Sequence, residues 1–545
     1  MPSMEYIYSF TVALFLTIAM IPLLIRFSEK LQLVDDPGAE RKMHDRVMPR
    51  SGGIAIIAGV FVPLAFSLAL DHYLTSLFVG CAIIIVFGLL DDKKELNYKW
   101  KLFGQSLAAF VVMSGGIIIH RVPFLGLDDV PLWLSCPLTY FFLLGVVNGV
   151  NFSDGLDGLA AGASLLALAT IAILAAITEN HSAVLIALTV IGGILGFLRF
   201  NTHPAQIFMG DAGSQFLGFI TACLAILITQ AETSALSPFL PVILLGLPIM
   251  DIVQVIPVRI KKKLPLPGPD KEHVHHQLVK LSFRHHEVVA IIYILQVGMM
   301  AGAYFLKFAS DLSLLMFYLG YLAVVLGTLL IAHTRGWRVR DEQAELDFTR
   351  KDRRNKLLRR MWWIHEYAGM AVLILMMGFY VVIPFLLDDV NLQFSVVALV
   401  LAALFGASFL LFRAKSMIVA RLSCYSASVF QVYLIADQLK DSVFLSFIDG
   451  FLVVLAIVLA LAIRTTRKEQ FRLDTQDLLI LLMVLIVPQL PFNTLDKFAV
   501  GSIALRLAVL MYGCEFLLAR GNRENHRCLS IGSAIGLIGI GLVGL

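Results

Sequence analysis

The stretch V-N-F-S-D-G-L-D-G-L-A-A-G, residues 150–162, joins two long apolar segments. Each of these segments is long enough to cross a lipid bilayer as an α-helix, so the stretch predicts a turn at the membrane surface between two spanning helices. Asn151, Asp154 and Asp157 lie in this turn among glycines. In a helical segment the spacing of three would put both carboxylates on one face, and the glycines would let a ligand approach closely. A polar cap at the start of the next helix is the alternative interpretation.

The composition extends this pattern to the whole chain. Of the 545 residues, 59% are hydrophobic and 15% are charged, and the mean hydropathy is +0.84. Soluble domains carry roughly 25% charged residues, so we predict an all-α fold, a polytopic transmembrane helical bundle. The predicted spans, about 18 in number, lie near residues 6–26, 52–70, 74–90, 102–120, 132–149, 159–178, 183–199, 214–230, 236–257, 288–307, 313–333, 363–387, 393–412, 417–436, 443–463, 475–490, 498–518 and 529–545.

The distribution of positive charge predicts the orientation of these spans. If the N-terminus lies outside, the inner loops contain all but five of the 43 lysines and arginines. Cytoplasmic loops of membrane proteins are enriched in Lys and Arg, so the bias predicts an N-terminus outside and a basic cytoplasmic face. Such a face suits anionic lipid headgroups and phosphorylated ligands.

Two further groups of polar side chains lie on the same predicted face. Asp91 and Asp92 end the third span in F-G-L-L-D-D, where adjacent carboxylates can bind a divalent cation or supply a base. Asp211, in I-F-M-G-D-A-G-S, precedes the eighth span and follows Asn201 and His203 in the same loop. A helix cap is the alternative for both groups, and a ligand for a hard cation is the sharper hypothesis for Asp211.

A histidine cluster follows the ninth span. His273, His275 and His276 lie in D-K-E-H-V-H-H-Q-L after a proline-rich, basic segment. Neither a cysteine nor a suitably spaced carboxylate completes a zinc set, and the six cysteines of the chain are scattered without a C-x-x-C pair. We therefore expect these histidines to donate hydrogen bonds to phosphate oxygens.

These motifs place three kinds of group on one membrane face: carboxylates for a metal, a candidate base, and cationic hydrogen-bond donors. Metal-assisted phosphoryl transfer uses the same three components. A polytopic transporter, or a protein that handles lipid-linked glycans, is the alternative. Transporters place ionisable groups near the bilayer midplane, often on helices related by internal repeats. Here the acidic residues lie at predicted span ends and the two halves show no convincing similarity, which favours an enzyme.

Together the motifs resemble the polyprenyl-phosphate N-acetylhexosamine-1-phosphate transferase family, and its undecaprenyl-phosphate N-acetylglucosamine-1-phosphate transferases in particular. The resemblance covers about residues 5–335 and rests on D-D-P-G-A-E-R-K-M-H-D-R-V-M-P-R-S-G-G, F-G-L-L-D-D, N-F-S-D-G-L-D-G-L-A-A-G, I-F-M-G-D-A-G-S and D-K-E-H-V-H-H. It implies a multi-pass protein of the bacterial inner (plasma) membrane with a cytoplasmic active site. The implied reaction starts a cell-surface polysaccharide pathway: an N-acetylhexosamine-1-phosphate, GlcNAc-1-phosphate above all, moves from a UDP-sugar to undecaprenyl phosphate, and UMP is released.

The resemblance also implies roles for individual residues and a Mg²⁺ cofactor, with Mn²⁺ as the alternative. Asp211 resembles the main metal ligand, with Asn151 as a second one. Asp91 and Asp92 resemble the catalytic pair, and Asp154 either orients its neighbours or helps the metal shell. The implied substrate-binding residues are Lys99 and Asn201 at the nucleotide, Asp157 at the uracil, and His273, His275 and His276 at the diphosphate.

Two mechanisms fit this set of residues. Either the lipid phosphate attacks the β-phosphorus directly, or an aspartate attacks first and forms a covalent intermediate. We favour direct attack because a phosphate monoester is already an anionic nucleophile. The expected partners are a UDP-N-acetylhexosamine, undecaprenyl phosphate and membrane lipids; a homodimer is left open, and no nucleic acid is expected.

The chain is longer than the resemblance accounts for. We predict a transferase membrane domain at 1–335 with about 11 spans, a basic cytoplasmic linker at 336–362, and a further membrane region at 363–545 with about seven spans. This last region lacks a Gly-rich phosphate loop and a histidine cluster, and its Asp388–Asp389 pair lies on the predicted outer side. We expect it to serve in packing, dimerisation or partner docking, with lipid handling as the alternative.

Overall fold

A computed structural model of the chain consists mainly of α-helices and confirms the predicted polytopic helical bundle. In the part of the chain that the structure describes, eleven helices are long and apolar enough to cross a membrane. The described residues form two compact units, the first within residues 4–339 and the second within residues 362–543. The described residues are 4–35, 47–69, 71–122, 130–231, 234–261, 263, 273–339, 362–388, 390, 392–411, 416–439, 442–465, 497–519 and 523–543.

The helices of the first unit follow the predicted spans closely. Their bounds are α1 (Met4–Leu31), α2 (Gly52–Ser67), α3 (His72–Lys94), α4 (Tyr98–Ser114), α5 (Leu132–Ser153), α6 (Leu159–Ile177), α7 (His181–Asn201), α8 (Gly210–Thr229), α9 (Leu240–Leu244), α10 (Gly246–Lys261), α11 (Val274–Lys280), α12 (His285–Phe305) and α13 (Asp311–Thr334).

The predicted ninth span, 236–257, is the exception, because it is two helices rather than one. Leu245 separates α9 from α10. Pro248 has no N–H to donate to the carbonyl of Leu244, which would be its partner in a continuous helix. The Gln296 side chain from α12 donates to that carbonyl instead, at 3.4 Å. Backbone breaks at membrane depth persist where side chains satisfy the freed groups in this way.

Small residues bring the N-terminal turn of α8 against two other helices. A Cβ atom on Gly53 of α2 would lie 2.5 Å from the backbone of Gly213, and one on Gly88 of α3 would lie 2.4 Å from the Cα atom of Ala212. These glycines therefore let the backbones approach closely, as small residues do in membrane helix packing. The contact places the end of α3 beside the start of α8.

A short antiparallel pair of strands, β1 (Val34–Asp35) and β2 (Met48–Pro49), lies next to this contact. The guanidinium of Arg50 is 2.8 Å from the buried Asp35 carboxylate. Beyond β2, the N–H of Gly52 donates to the carbonyl of Phe208 at 2.9 Å, and the N–H of Phe208 donates to Pro49 at 2.7 Å. These hydrogen bonds order the loop that leads into α8.

The second unit is a helical bundle with its own apolar core. Arg421, a charged residue within the predicted span at 417–436, lies in a helix, where its guanidinium pairs with Glu515 at 2.6 Å. Pairing of this kind is how ionisable groups persist within membrane helices. The predicted span at 475–490 and Asp389 lie outside the described residues. The helices are Trp362–Val382, extended by a 3₁₀ turn at Ile383–Leu386, then Leu392–Leu411, Ser416–Gln438, Val443–Thr465, Lys497–Ala519 and Arg523–Val543.

Candidate active site

Helix ends of the first unit bring the predicted carboxylates together. Asp91 and Asp92 lie in the last turn of α3, and Asp211 lies in the first turn of α8. Asp154 is the residue that follows the last turn of α5, three positions after Asn151. The sequence places these residues in three separate motifs, and the packing of α3, α5 and α8 joins them into one site.

Asp91 faces the one lysine that reaches this site among the described residues. Its Oδ1 atom accepts the N–H of Leu96 at 2.8 Å, and its Oδ2 atom contacts the ammonium group of Lys101. The same ammonium is 3.6 Å from Asp211 Oδ2. The Asp91 side chain is only 1% exposed, whereas Lys101 is 36% exposed. Lys101 therefore bridges a buried carboxylate and a more accessible one.

Asp92 is engaged differently from Asp91. Its Oδ1 accepts the N–H of Asp211 at 2.7 Å, and its Oδ2 accepts the N–H of Ala212 at 3.0 Å. Both N–H groups are at the start of α8, where no helical carbonyl is available to them. Gly210, just before them, has φ +79°, and a Cβ atom there would lie 2.8 Å from Asp92 Oδ2. Asp92 thus fixes the backbone that carries Asp211.

The Asp211 carboxylate is oriented by α5. The Asn151 amide Nδ2 donates to Asp211 Oδ1 at 2.5 Å and to the Ser214 hydroxyl at 3.1 Å. In this arrangement Asn151 acts through its N–H₂ group on the aspartate. Its role as a second metal ligand, which the motif predicts, remains a prediction.

The oxygen atoms of this site fit a hard divalent cation. Mg²⁺ binds carboxylate oxygens in preference to nitrogen or sulfur. The pKa of Asp154 is raised to about 8, because its carboxyl is withdrawn from water and lies near the negative charges of Asp211 and Asp92. A cation on Asp211 would offset the repulsion between the carboxylates of Asp154 and Asp211 that contributes to this raised pKa.

The predicted nucleotide residues lie beside the carboxylates. Asp157 Oδ2 is 2.8 Å from His203 Nδ1 and accepts the N–H of Ala205 at 3.1 Å. Asn201 is buried and joins two loops: it accepts the N–H of Gly158 at 2.9 Å and donates to the carbonyl of Ile207 at 2.8 Å. The side-chain amide of Asn201 therefore holds the loop that contains Asp157.

The three predicted phosphate-binding histidines do not share one environment. His273 is buried, with Nδ1 3.4 Å from Asp251 Oδ2. His275 is 2% exposed, and burial, with His276 nearby, lowers its pKa to about 3. Burial therefore favours the neutral imidazole of His275, and its contact with the diphosphate stays a prediction. His276 is partly exposed.

Four residues that the motifs did not single out help to build the site: Lys101, Ser214, Arg50 and Asp251. Lys99, which resembled a nucleotide-binding residue, is exposed, and Lys101, two positions later, makes the contacts with Asp91 and Asp211. The signal for Asp251 was present, because it is an acidic residue within an apolar span. Its Oδ1 accepts the N–H of Val274 at 3.0 Å.

Comparison with known proteins assigns the first unit to a family. Residues 74–229, which run from α3 to the end of α8, match the model of glycosyl transferase family 4. A Bacillus subtilis (strain 168) protein, named as a probable undecaprenyl-phosphate N-acetylglucosaminyl 1-phosphate transferase, is 39% identical over 307 residues, which are 56% of this chain and 86% of that protein.

Two other groups of relatives match the same part of the chain. The Mycobacterium tuberculosis (strain H37Rv) decaprenyl-phosphate N-acetylglucosaminephosphotransferase is 34% identical over 54% of this chain and 79% of its own length. The Escherichia coli (strain K12) undecaprenyl-phosphate alpha-N-acetylglucosaminyl 1-phosphate transferase is 28% identical over 49% of this chain and 74% of its own length. This chain therefore belongs to glycosyl transferase family 4, the family of these polyprenyl-phosphate N-acetylglucosaminyl 1-phosphate transferases.

Proposed function

We propose that the chain transfers GlcNAc-1-phosphate from UDP-GlcNAc to undecaprenyl phosphate and releases UMP, as the first membrane step of a cell-surface polysaccharide pathway. The names of the relatives support the sugar and the polyprenyl acceptor. The observation that carries the proposal is the meeting of Asp91, Asp154 and Asp211 with Lys101 at helix ends. The predicted topology puts these ends at the cytoplasmic face of the inner membrane.

The site has the charges that phosphoryl transfer needs. Asp211 would hold Mg²⁺, and Asp91 and Asp154, which lie within electrostatic reach of Asp211, would supply further oxygen ligands. The cation, when bound, neutralises charge on the diphosphate. Lys101 already lies within 3.6 Å of Asp211, so its ammonium supplies a second positive charge where the phosphates would meet. Asp92 accepts the N–H of Asp211 and so holds the backbone that positions the Asp211 carboxylate.

The proposed chemistry is a direct displacement. An oxygen of the lipid phosphate attacks the β-phosphorus of UDP-GlcNAc, and the bond from that phosphorus to the oxygen shared with the α-phosphate breaks. The products are GlcNAc-diphospho-undecaprenol and UMP. A phosphate monoester has a second pKa of about 6, so it is mostly dianionic at neutral pH and needs only positioning by the site.

The uridine and the prenyl chain would approach this site from different sides. Asp157, with its partners His203 and Ala205, lies beside the carboxylates and would receive the base. A cavity of about 40 Å³ lies between α5, α6, α10 and α12, with Leu159, Pro248 and Ile292 in its wall. A space of that size holds only a few waters. This cavity is too small for a prenyl chain, and the proposal places that chain along the lipid-facing surface of the first unit.

The deciding experiment incubates the purified full-length chain with undecaprenyl phosphate, Mg²⁺ and a panel of UDP-sugars, and measures UMP. We expect UMP with UDP-GlcNAc and with no donor that lacks the N-acetyl group. Asp211→Asn should abolish UMP release while the protein still elutes as a folded species. Failure of every N-acetylhexosamine donor to release UMP would refute the proposal, and UMP release by the variant at the wild-type rate would refute the role of Asp211.

A further inference from the structure

A second cluster of side chains that can bind a metal begins three residues after Asp154 in the sequence. It consists of Asp157 from the loop between α5 and α6, His203 from the loop after α7, and His285 at the start of α12. One ligand atom from each residue lies within 4.8 Å of the others. We propose that these three residues form a binding site for a transition-metal dication of the Zn²⁺ type, distinct from the oxygen site around Asp211.

The two imidazoles converge on one carboxylate oxygen. His203 Nδ1 is 2.8 Å from Asp157 Oδ2, and His285 Nε2 is 4.0 Å from the same oxygen. The rings are stacked, with centroids 4.2 Å apart and an angle of 20° between their planes. One nitrogen of each ring therefore lies near the same carboxylate oxygen, although the two histidines are more than 80 residues apart in the sequence.

The spacing suits a small dication. Ligand atoms around a tetrahedral Zn²⁺ at about 2.1 Å lie roughly 3.4 Å from one another. The two measured separations, 2.8 and 4.0 Å, fall on either side of that value. The wider separation, between His285 Nε2 and Asp157 Oδ2, would have to shorten by about 0.6 Å, and the contact of the 45% exposed His203 would have to lengthen by a similar amount. In the metal-free form the 2.8 Å contact holds a proton, which the ion would displace.

The hydrogen bonding around these three side chains also suits a bound ion. His285 Nε2 is buried and has no hydrogen-bond partner among the described residues, although it is aimed at a carboxylate. The N–H of Ala205 donates to the same oxygen of Asp157, Oδ2, at 3.1 Å and so fixes the position of this carboxylate, as outer-shell donors do at metal sites. Two nitrogen ligands and one oxygen favour Zn²⁺, Co²⁺ or Ni²⁺ over Mg²⁺. The exposure of His203 leaves room for water on the ion.

An ion at this site would regulate the proposed reaction, and this consequence rests on the proposed function. Asp157 is the residue proposed to meet the uracil. A dication held by Asp157, His203 and His285 would occupy that position and would join two loops to the start of α12. Zn²⁺ should therefore inhibit UMP release in competition with UDP-GlcNAc, while Mg²⁺ at the carboxylates still supports turnover in its absence.

The test measures metal binding without activity. The full-length chain is stripped with a chelator, kept in excess Mg²⁺ to fill the oxygen site, and titrated with Co²⁺ and Zn²⁺. We expect one equivalent to bind, with visible Co²⁺ absorption. His203→Gln and His285→Gln should each weaken binding by more than the roughly 10- to 100-fold loss that outer-shell changes cause. The matched control, His276→Gln, alters another histidine of the first unit and should bind like the wild type.

Each outcome bears on this site separately from the enzyme activity. Zn²⁺ binding that survives both variants, or that disappears in His276→Gln, overturns the proposal. If a variant does not fold, protection of His203 and His285 from diethylpyrocarbonate by Zn²⁺ in the wild-type protein decides the question, and no protection overturns the site. UMP release without such binding would leave the proposed function intact, and binding without UMP release would leave the metal site intact.

Discussion

Asp92→Asn tests whether this aspartate positions Asp211 or takes part in the chemistry. The carboxylate accepts two backbone N–H groups of α8, at 2.7 and 3.0 Å, and hydrogen bonds to a charged group contribute about 1.5–3 kcal/mol each. The asparagine side chain has one acceptor oxygen, which can accept only one of the two N–H groups of Asp211 and Ala212. Its N–H₂ group would face the remaining N–H, so that hydrogen bond would be lost. We expect a loss of about 2–4 kcal/mol, which is roughly a 30- to 700-fold fall in kcat/KM at about 1.4 kcal/mol per tenfold.

The assay is UMP release at a series of Mg²⁺ concentrations. Since Asp92 acts through the backbone of the proposed metal ligand, the variant should need more Mg²⁺ for half-maximal rate. Asp71→Asn is the matched control, because Asp71 accepts the N–H of Leu74 at 2.7 Å at the start of α3, and asparagine caps a helix equally well. It should leave activity unchanged. A variant at Asp92 with a lower kcat and the wild-type Mg²⁺ requirement would refute positioning and favour a catalytic base.

Three further predictions concern neighbouring residues. Lys101→Met should lower kcat/KM by about tenfold or more, because it removes the counter-ion of the buried Asp91. The control, Lys94→Met, changes an exposed lysine of α3 and should keep the wild-type kcat/KM. Equal rates for the two variants would contradict this prediction. Gly210→Ala should abolish activity, because φ is +79° and a Cβ would lie 2.6 Å from the carbonyl of Arg50, while Gly320→Ala, with no atom within 4 Å, should be silent in the same UMP assay. Asp154 binds its proton more tightly in the folded form, with a pKa of about 8 against an ordinary 3.8. In chelator, the free energy of unfolding should therefore fall as the pH rises from about 4 to about 8, and above pH 8 the contribution of the protonated Asp154 should be gone. Asp154→Asn should flatten that dependence in thermal unfolding, and parallel slopes for the two proteins would contradict the cause.

The sequence predicted the location of the site well because the motifs lie at the ends of apolar segments. Apolar length predicts where each helix ends, and loop charge predicts which ends share a membrane face. Asp91, Asp154 and Asp211 were expected together for this reason, and α3, α5 and α8 join them. The contact of Lys101 rather than Lys99 was not predictable, because it depends on how α4 is rotated against α3 within one turn.

The break in the ninth span was missed for a related reason. Hydropathy averages over a window, and a single non-helical residue at Leu245 does not change the average. Pro248 was visible in the sequence, but prolines also occur inside continuous helices here, such as Pro22 and Pro63. What distinguishes the break is Gln296, which satisfies the freed carbonyl of Leu244 from another helix. A contact of that kind requires the tertiary structure.

Aspartates at this site divide into two chemical roles that sequence motifs do not separate. Asp211 keeps an oxygen accessible beside Lys101, whereas Asp92 and Asp251 use theirs to accept backbone N–H groups at the start of α8 and α11. Both kinds look alike in a sequence, because an ionised carboxylate serves equally well beside a metal or beside a helix N-terminus. The division has a physical reason: a ligand-binding side chain keeps its place only if the backbone beneath it is fixed. Asp92 meets that need for Asp211, and Asp251 meets it for the histidine loop.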